Sequence, residues 1–282
     1  MGSIRRAAEA LAISPSALNR QILAVEEDLG VEIFERLPRG VRLSTAGEIY
    51  LNCFRAHLAD LHRAASQVAD LSGLRAGSVS IGVTEELASN FVSDVVAKYQ
   101  CAYPLVDIAM RVLPADEISG ALGRFDIDLG LAVNWIKDEA VEAIHAEEVE
   151  VICISSAQGD LPAEINLSRL ADRPLIAPTR ASGLRDHIDA ALAFRGVPKR
   201  YAQETDRLAR AMLAAIPTSV QFALAIDNPP EQTASATLQR HKLSPVQMPP
   251  ATVSVLSLRY RPLPVASAKL ASDLSNALAR AS

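Results

Sequence analysis

Between residues 51 and 68 the apolar side chains Leu51, Phe54, Leu58, Leu61, Ala65 and Val68 recur at intervals of 3, 4, 3, 4 and 3. That spacing is a heptad seam along one side of a helix, and a helix standing alone cannot bury it. A second surface must cover it: the same helix of another copy, or the core of its own chain. Thr45-Ala46-Gly47-Glu48 has the spacing of a capping box, in which hydroxyl and carboxylate each satisfy a backbone amide, so the helix is expected to start at Thr45. Gly73 and Gly77 bracket a short linker and place its end near Gly73.

Ahead of that helix the punctuation is dense. Ser3 is positioned to cap a short helix through Arg5, Arg6 and Leu11. Ser14 is a second cap, followed by Pro15 at the first helical position, where no N–H is lost. Leu18, Ile22, Val25 and Leu29 then predict one buried face, and Gly30 a left-handed stop. The opposite face carries Ser16, Asn19 and Arg20. Two helices joined by a tight turn make either a helix-turn-helix able to enter a major groove or an ordinary helical hairpin. Next, Phe34-Glu35-Arg36 and Val41-Arg42-Leu43 flank the tip Leu37-Pro38-Arg39-Gly40, the pattern of a β-hairpin. Arg36, Arg39 and Arg42 give this ribbon three guanidinium groups, suited to phosphates or a minor groove, or simply to solvent.

These segments together resemble the signature of the LysR-type transcriptional regulators. The resemblance is carried by Arg6-Ala7-Ala8-Glu9-Ala10-Leu11, by Ser14 through Ile22, by Glu26 through Val31, by Phe34-Glu35-Arg36 and Arg39 through Leu43, and by Thr45 through Glu48. It implies an α/β protein with an N-terminal winged helix-turn-helix and a long linker helix, followed by a two-lobed periplasmic-binding-protein-like effector domain. It also implies that Pro15, Ser16, Asn19 and Arg20 read DNA, that Arg36, Arg39 and Arg42 make wing contacts, and that Leu51, Phe54, Leu58, Leu61, Ala65 and Val68 pair two chains. The expected partners are double-stranded promoter DNA, a small-molecule effector and further copies in a homodimer or homotetramer. The family's winged domain opens with one more helix before Gly2, so the sequence reads as N-terminally shortened. Its absence would expose Leu18 or Ile22 at up to about 1.5–3 kcal/mol per side chain and weaken DNA binding.

After Gly77 the periodicity changes. Strands are expected at Val79 to Val83, Asp107 to Val112 and Ile127 to Leu131, with helices at about Ala88 to Gln100 and Ile118 to Leu122 between them. This βαβαβ order predicts a parallel sheet. A second set of strands, near Val149 to Ile154, Leu175 to Ala177 and Tyr201 to Gln203, alternates with helices near Leu184 to Phe194 and Leu208 to Ala215. The strand Thr252 to Leu258 and a last helix from about Val265 to Ala279 would return to the first lobe, as the family resemblance implies. The expected domains are thus 1–44, 45–73 and 77–282, with lobe I at about 77–148 and 253–282 and lobe II at about 149–252.

In open α/β sheets ligands sit beyond the carboxyl ends of strands, where helix N-termini present free amides. That rule selects Thr84, Glu85, Asn134, Ser182, Gly183 and Thr205 as effector-binding candidates, although Ser and Thr there also serve as ordinary caps. In the family such positions often hold a carboxylate. Glu85 and Glu86 would repel one, which favours an amine-bearing or neutral ligand. Ala215-Ile216-Pro217-Thr218-Ser219 stands where the family commonly has a Gly-rich turn.

Composition bounds the alternatives. A net charge of -5 over 282 residues excludes indiscriminate coating of nucleic acid, so any DNA contact must be local. Cys53, Cys101 and Cys153 form no C-x-x-C and are expected as buried reduced thiols, with a redox pair as the alternative. Most of His57, His62, His145, His187 and His241 are expected on surfaces or helix faces, and His57 and His62, five apart, do not share the face a metal pair needs. G-x-S-x-G, H-E-x-x-H, P-loop and G-x-G-x-x-G motifs are missing. The reading is therefore of a non-enzyme with no catalytic residues, metal or cofactor. No long apolar run and no signal peptide are seen, so a cytoplasmic protein without a membrane partner is expected. The rival is a solute-binding protein or enzyme on a two-lobed α/β fold without DNA binding.

Overall fold

The computed structural model describes residues 2–38, 40–71, 76–226 and 237–281. They divide into two compact units, 1–61 and 62–282. The first unit opens with α1 (Ile4–Ala10), capped by Ser3 Oγ, which accepts from Arg6 N. In α2 (Pro15–Leu29), Ser14 Oγ accepts from Ala17 N, Pro15 sits in the first turn, and Gly30 closes the helix at φ 67°. These are the capping residues that local chemistry demands.

The predicted buried face of α2 is only partly covered. Leu18, Ile22 and Leu29 are half-buried, Val25 is exposed, and no residue of the helix is fully buried. The cause is a lack of layers, because within this unit α2 meets α1 and a small ribbon rather than a sheet. The ribbon pairs β1 (Phe34–Leu37) with β2 (Gly40–Leu43) in the register Phe34↔Leu43 to Leu37↔Gly40. Glu26 Oε1 ties it to α2 by accepting from Ile33 N at 2.8 Å and Phe34 N at 3.0 Å.

The seam lies on α3 (Thr45–Leu71), a single helix of 27 residues that spans the division between the units. Its expected end at Gly73 falls outside the described residues. The capping box is corrected: Ser44, not Thr45, is the cap. Ser44 Oγ accepts from Gly47 N at 3.0 Å and donates to Glu32 O at 2.6 Å, while its carbonyl takes Glu48 N. The helix does begin at Thr45, as expected, but its cap is the residue before it, because Ser44 sits at the junction of ribbon and helix. Ser44→Ala should therefore lower stability in urea unfolding by about 0.5–2 kcal/mol. Thr45→Ala should stay within about 0.5 kcal/mol.

The second unit holds two sheets. In the five-stranded one, β3 (Gly77–Val83) lies between β4 (Val106–Val112) and β5 (Leu129–Val133), all parallel. The three strands expected from the βαβαβ order are thus parallel, and antiparallel strands are added at the other end of the sheet. There β6 (Val141–Val149) and β13 (Ala251–Leu258) complete the order β4-β3-β5-β13-β6, with β13 antiparallel to both neighbours. The six-stranded sheet comprises β7 (Val151–Ser156), β8 (Glu164–Ile165), β9 (Leu175–Ala177), β10 (Tyr201–Glu204), β11 (Val220–Leu224) and β12 (Leu238–Leu243). It runs β10-β9-β11-β7-β12-β8, with β10, β9 and β11 parallel and β7 antiparallel to both β11 and β12. Strands β6, β8, β11 and β12 were not legible in the sequence.

Between β3 and β4 the chain makes the single turn α4 (Glu85–Leu87), a π-helical turn over Ala88–Val92, and α5 (Ser93–Ala102). The remaining helices are α6 (Ala115–Gly123), α7 (Gly183–Phe194), α8 (Arg210–Ala215) and α9 (Val265–Ala281). One apolar cluster runs through both sheets, joining Val83, Leu131 and Val253 to Leu184, Ile188 and Phe222. Burial of that kind, at about 1.5–3 kcal/mol for a large side chain, welds the two sheets into one unit. Cys153 is buried as expected, whereas Cys53 and Cys101 are exposed, which corrects the reading of all three as core thiols. His241 is likewise buried rather than at a surface. Among the described residues no helix is long and apolar enough to cross a membrane.

Candidate functional site

Two pairs of parallel strands, one pair from each sheet, end at one place. Thr84, Glu85 and Glu86 follow β3, Val112 to Pro114 close β4, Thr179, Ala181 and Ser182 follow β9, and Glu204 to Arg207 close β10. Together they line a cleft of about 370 Å³ between the two sheets. A cleft at the carboxyl ends of parallel strands, where helices begin, is where a doubly wound sheet presents its backbone to a ligand.

Each wall is braced by hydrogen bonds. Ser182 caps α7 by accepting from Leu184 N at 3.1 Å, and its hydroxyl donates to Glu86 Oε1 at 2.9 Å. Asp206 accepts from Thr179 N at 2.7 Å and from Thr179 Oγ1 at 2.6 Å. Arg207 pairs with Glu85, and Glu204 with Arg185 at 2.9 Å. Burial pushes the Glu86 carboxyl above the usual carboxylate range, opposed by its backbone and Ser182 hydrogen bonds, and the nearby Asp206 charge adds to the rise. Thr84 is 1% exposed, and its Oγ1 stands close enough to favour the charged Glu86 yet makes no hydrogen bond of proper geometry.

Thr84, Glu85, Ser182 and Thr205 of the expected effector set thus line one cleft. Asn134 and Gly183 do not. Asn134, at φ 49°, spends its side chain on backbone, donating to Gly183 O at 3.0 Å and accepting from Thr252 N at 3.0 Å. A Cβ on Gly183 would lie 1.9 Å from Val133 O, so this glycine serves close packing. Sequence reasoning missed Thr179, Glu204, Asp206 and Arg207. The available signal was that 204–207 end a strand, as 84–86 do.

In the first unit, Pro15, Ser16 and Arg20 are exposed and Asn19 is half-buried on α2. Arg36 of β1 donates to Asn19 Oδ1 at 3.1 Å, which joins the polar face of the helix to the ribbon. Arg42 pairs with its cross-strand neighbour Glu35 at 2.6 Å. Arg39 lies outside the described residues. On α3, Phe54, Leu58, Leu61, Ala65 and Val68 are exposed and Leu51 is half-buried.

The family model described as the LysR substrate binding domain matches residues 72–275, most of the chain. A second, the bacterial regulatory helix-turn-helix protein of the lysR family, matches residues 1–48. The chain belongs to the LysR family. The helix-turn-helix match covers α1, α2, the ribbon and the first residues of α3, and the LysR substrate-binding match contains every residue lining the cleft. Among LysR relatives, the transcriptional regulator PtxR of Pseudomonas aeruginosa is 29% identical over 64% of this chain, a stretch spanning 57% of that protein's own length. The regulator CbbR of Sinorhizobium medicae is 28% identical over 68% of this chain and 62% of its own. The chain thus aligns with less than two thirds of each of these two relatives. In fold it is similar to a CbnR solved with its target DNA, with a TM-score of 0.66 and 16% identity over 99% of this chain and 94% of the other. It is also similar to a full-length OxyR from Pseudomonas aeruginosa, with a TM-score of 0.70 and 17% identity over 99% and 93%.

Proposed function

We propose that this LysR-family chain is a DNA-binding transcription regulator that answers a small molecule held in the cleft at Thr84, Glu85, Ser182 and Thr205. The observation that carries the reading is the pairing of a helix-turn-helix match over residues 1–48 with a substrate-binding match over 72–275. Pro15, Ser16, Asn19 and Arg20 are assigned to the major groove, and Arg36, Arg39 and Arg42 to the backbone or minor groove beside it. Leu51, Phe54, Leu58, Leu61, Ala65 and Val68 are assigned to pairing of two chains, so that two recognition helices meet two half-sites. A ligand that favours one arrangement of the dimer would shift the spacing of those helices and hence the duplex bend.

No catalytic step is assigned. Ser155 Oγ lies 2.8 Å from His241 Nε2, but both side chains are buried in the six-stranded sheet, and Nδ1 contacts Pro162 O at 2.6 Å. Since that carbonyl can only accept, Nδ1 carries the proton and the pair works as a structural brace. The cytoplasm, where the duplex is found, is the compartment this reading requires.

The test is selection of binding sites from random duplexes, followed by gel shift over a salt series. Arg20→Ala should weaken the selected site by about 1–3 kcal/mol relative to random duplex if Arg20 reads a base. An equal loss on all sequences would make it a phosphate contact, and no duplex binding by the intact chain would sink the regulator reading.

A further inference from the structure

The charges around the cleft do not balance. Among the described residues lining it, Arg207 is the only Lys or Arg, against the carboxylates of Glu85, Glu86, Glu204 and Asp206. Arg207 is committed to Glu85, and Glu204 is held by Arg185. Glu86 and Asp206 are left with hydroxyl and amide donors but no cation.

The donor that an incoming acid would need is already occupied. The Ser182 hydroxyl at the start of α7 points its single proton at Glu86 Oε1, so the protein's own carboxylate fills the anion position beside that helix. A ligand carboxylate would have to enter beside Glu86 and Asp206 with no free cation to receive it. Two buried side chains of the cleft lining also carry an unpartnered oxygen. Glu86 is 8% exposed with Oε2 lacking a partner, and the Thr84 hydroxyl is in the same condition. Buried polar atoms left unpaired are costly and mark a place where a partner is missing.

Resting on the regulator reading above, we propose that the effector carries a protonated amine, which the cleft receives between Glu86 and Asp206 with Thr84 Oγ1 as a third acceptor. An ammonium group has three donors and no acceptor, which matches three acceptors in an acidic niche. It would satisfy both orphaned atoms and neutralise the charge that Asp206 places near Glu86. Val112, Leu113 and Pro114 would flank the ligand's apolar portion on the β4 side.

The test uses the full chain and matched pairs of small probes, butylamine against butanoate and 1,4-diaminobutane against butanedioate, by calorimetric titration and thermal shift. The amines should bind and raise the melting temperature, and the carboxylates should do neither. Glu86→Gln and Asp206→Asn should each weaken amine binding about ten- to a hundredfold, the loss expected for one charge-assisted hydrogen bond. Should either variant fail to fold, the preference of the unaltered protein still decides. Carboxylates binding as tightly as the amines, or no amine binding at all, would overturn the assignment. Carboxylate binding by a chain that still recognises its selected duplex would remove the amine and leave the regulator. Amine binding by a chain indifferent to duplex would support the niche and sink the regulator reading.

Discussion

An Arg185→Met variant should unfold about 3 kcal/mol more easily than the unaltered protein, read as a lower urea midpoint at unchanged slope. Arg185 is 2% exposed and pairs with Glu204 of the cleft lining. Its guanidinium donates to Asp189 Oδ2 at 3.2 Å and Pro178 O at 2.9 Å, pairs with Glu204 at 2.9 Å, and lies 4.4 Å from the Tyr201 ring centroid. Methionine fills similar volume but leaves two carboxylates without their shared cation. Both are partly solvated, so the loss falls at the lower end of what breaking a buried pair costs. Lys269→Met, which removes an exposed pair with Asp273, should change stability by about 0.5 kcal/mol or less. Equal effects from the two substitutions would show that the Arg185 cluster holds nothing together.

The same cluster sets a pH dependence. Burial pushes Asp189 up, but the Tyr201 hydroxyl and the charges of Arg185 and Lys199 outweigh it and hold the carboxyl below its usual range. A depressed carboxylate stabilises the fold above its unfolded pKa of about 3.9, and that contribution is lost as pH falls through the lower folded value. Acidification below about pH 4 should therefore erode the unaltered protein more steeply than the Arg185→Met variant.

Leu58→Glu should abolish pairing through α3. Leu58 is 55% exposed in the single chain, in a row with Phe54 and Leu61 that are exposed alike. Burying a leucine from each of two chains is worth about 1.5–3 kcal/mol per side chain, so losing both weakens association about a hundred- to ten-thousandfold. Placing two carboxylates in the seam adds to the loss. Light scattering at micromolar concentration should then report half the dimer mass, and gel shifts should lose the complex spanning two half-sites. An unchanged mass would remove the seam from the dimer interface.

Local chemistry was the legible part of this protein. Ser3, Ser14, Pro15 and Gly30 set their helix ends because a cap needs only the residues within one turn of it. The tip at Leu37 to Gly40 announced its ribbon for the same reason. Thr45 and Ser44 show where that approach stops, since both can cap, and only the path of the chain out of β2 places Ser44 at the hinge. The strand β12 was missed because Leu238–Leu243 carries no clean period of two, and β11 because Val220, Phe222 and Leu224 alternate over only five residues. Both are interior strands of their sheet, and in β11 the residues between the large apolar ones are covered as well.

The amino-acid order alone determined the class of the chain, the caps of its first two helices, the apolar spacing along α3, and Thr84, Glu85, Ser182 and Thr205 as residues at strand ends or helix starts. The folded structure decided which of those residues share a cleft, and it alone brought Asp206 and Glu204 to the cleft that Glu86 lines, across about 120 positions of sequence. The reason is physical: caps and turns are short-range hydrogen bonds, whereas a charge balance depends on distances that exist only once two sheets have packed on one core.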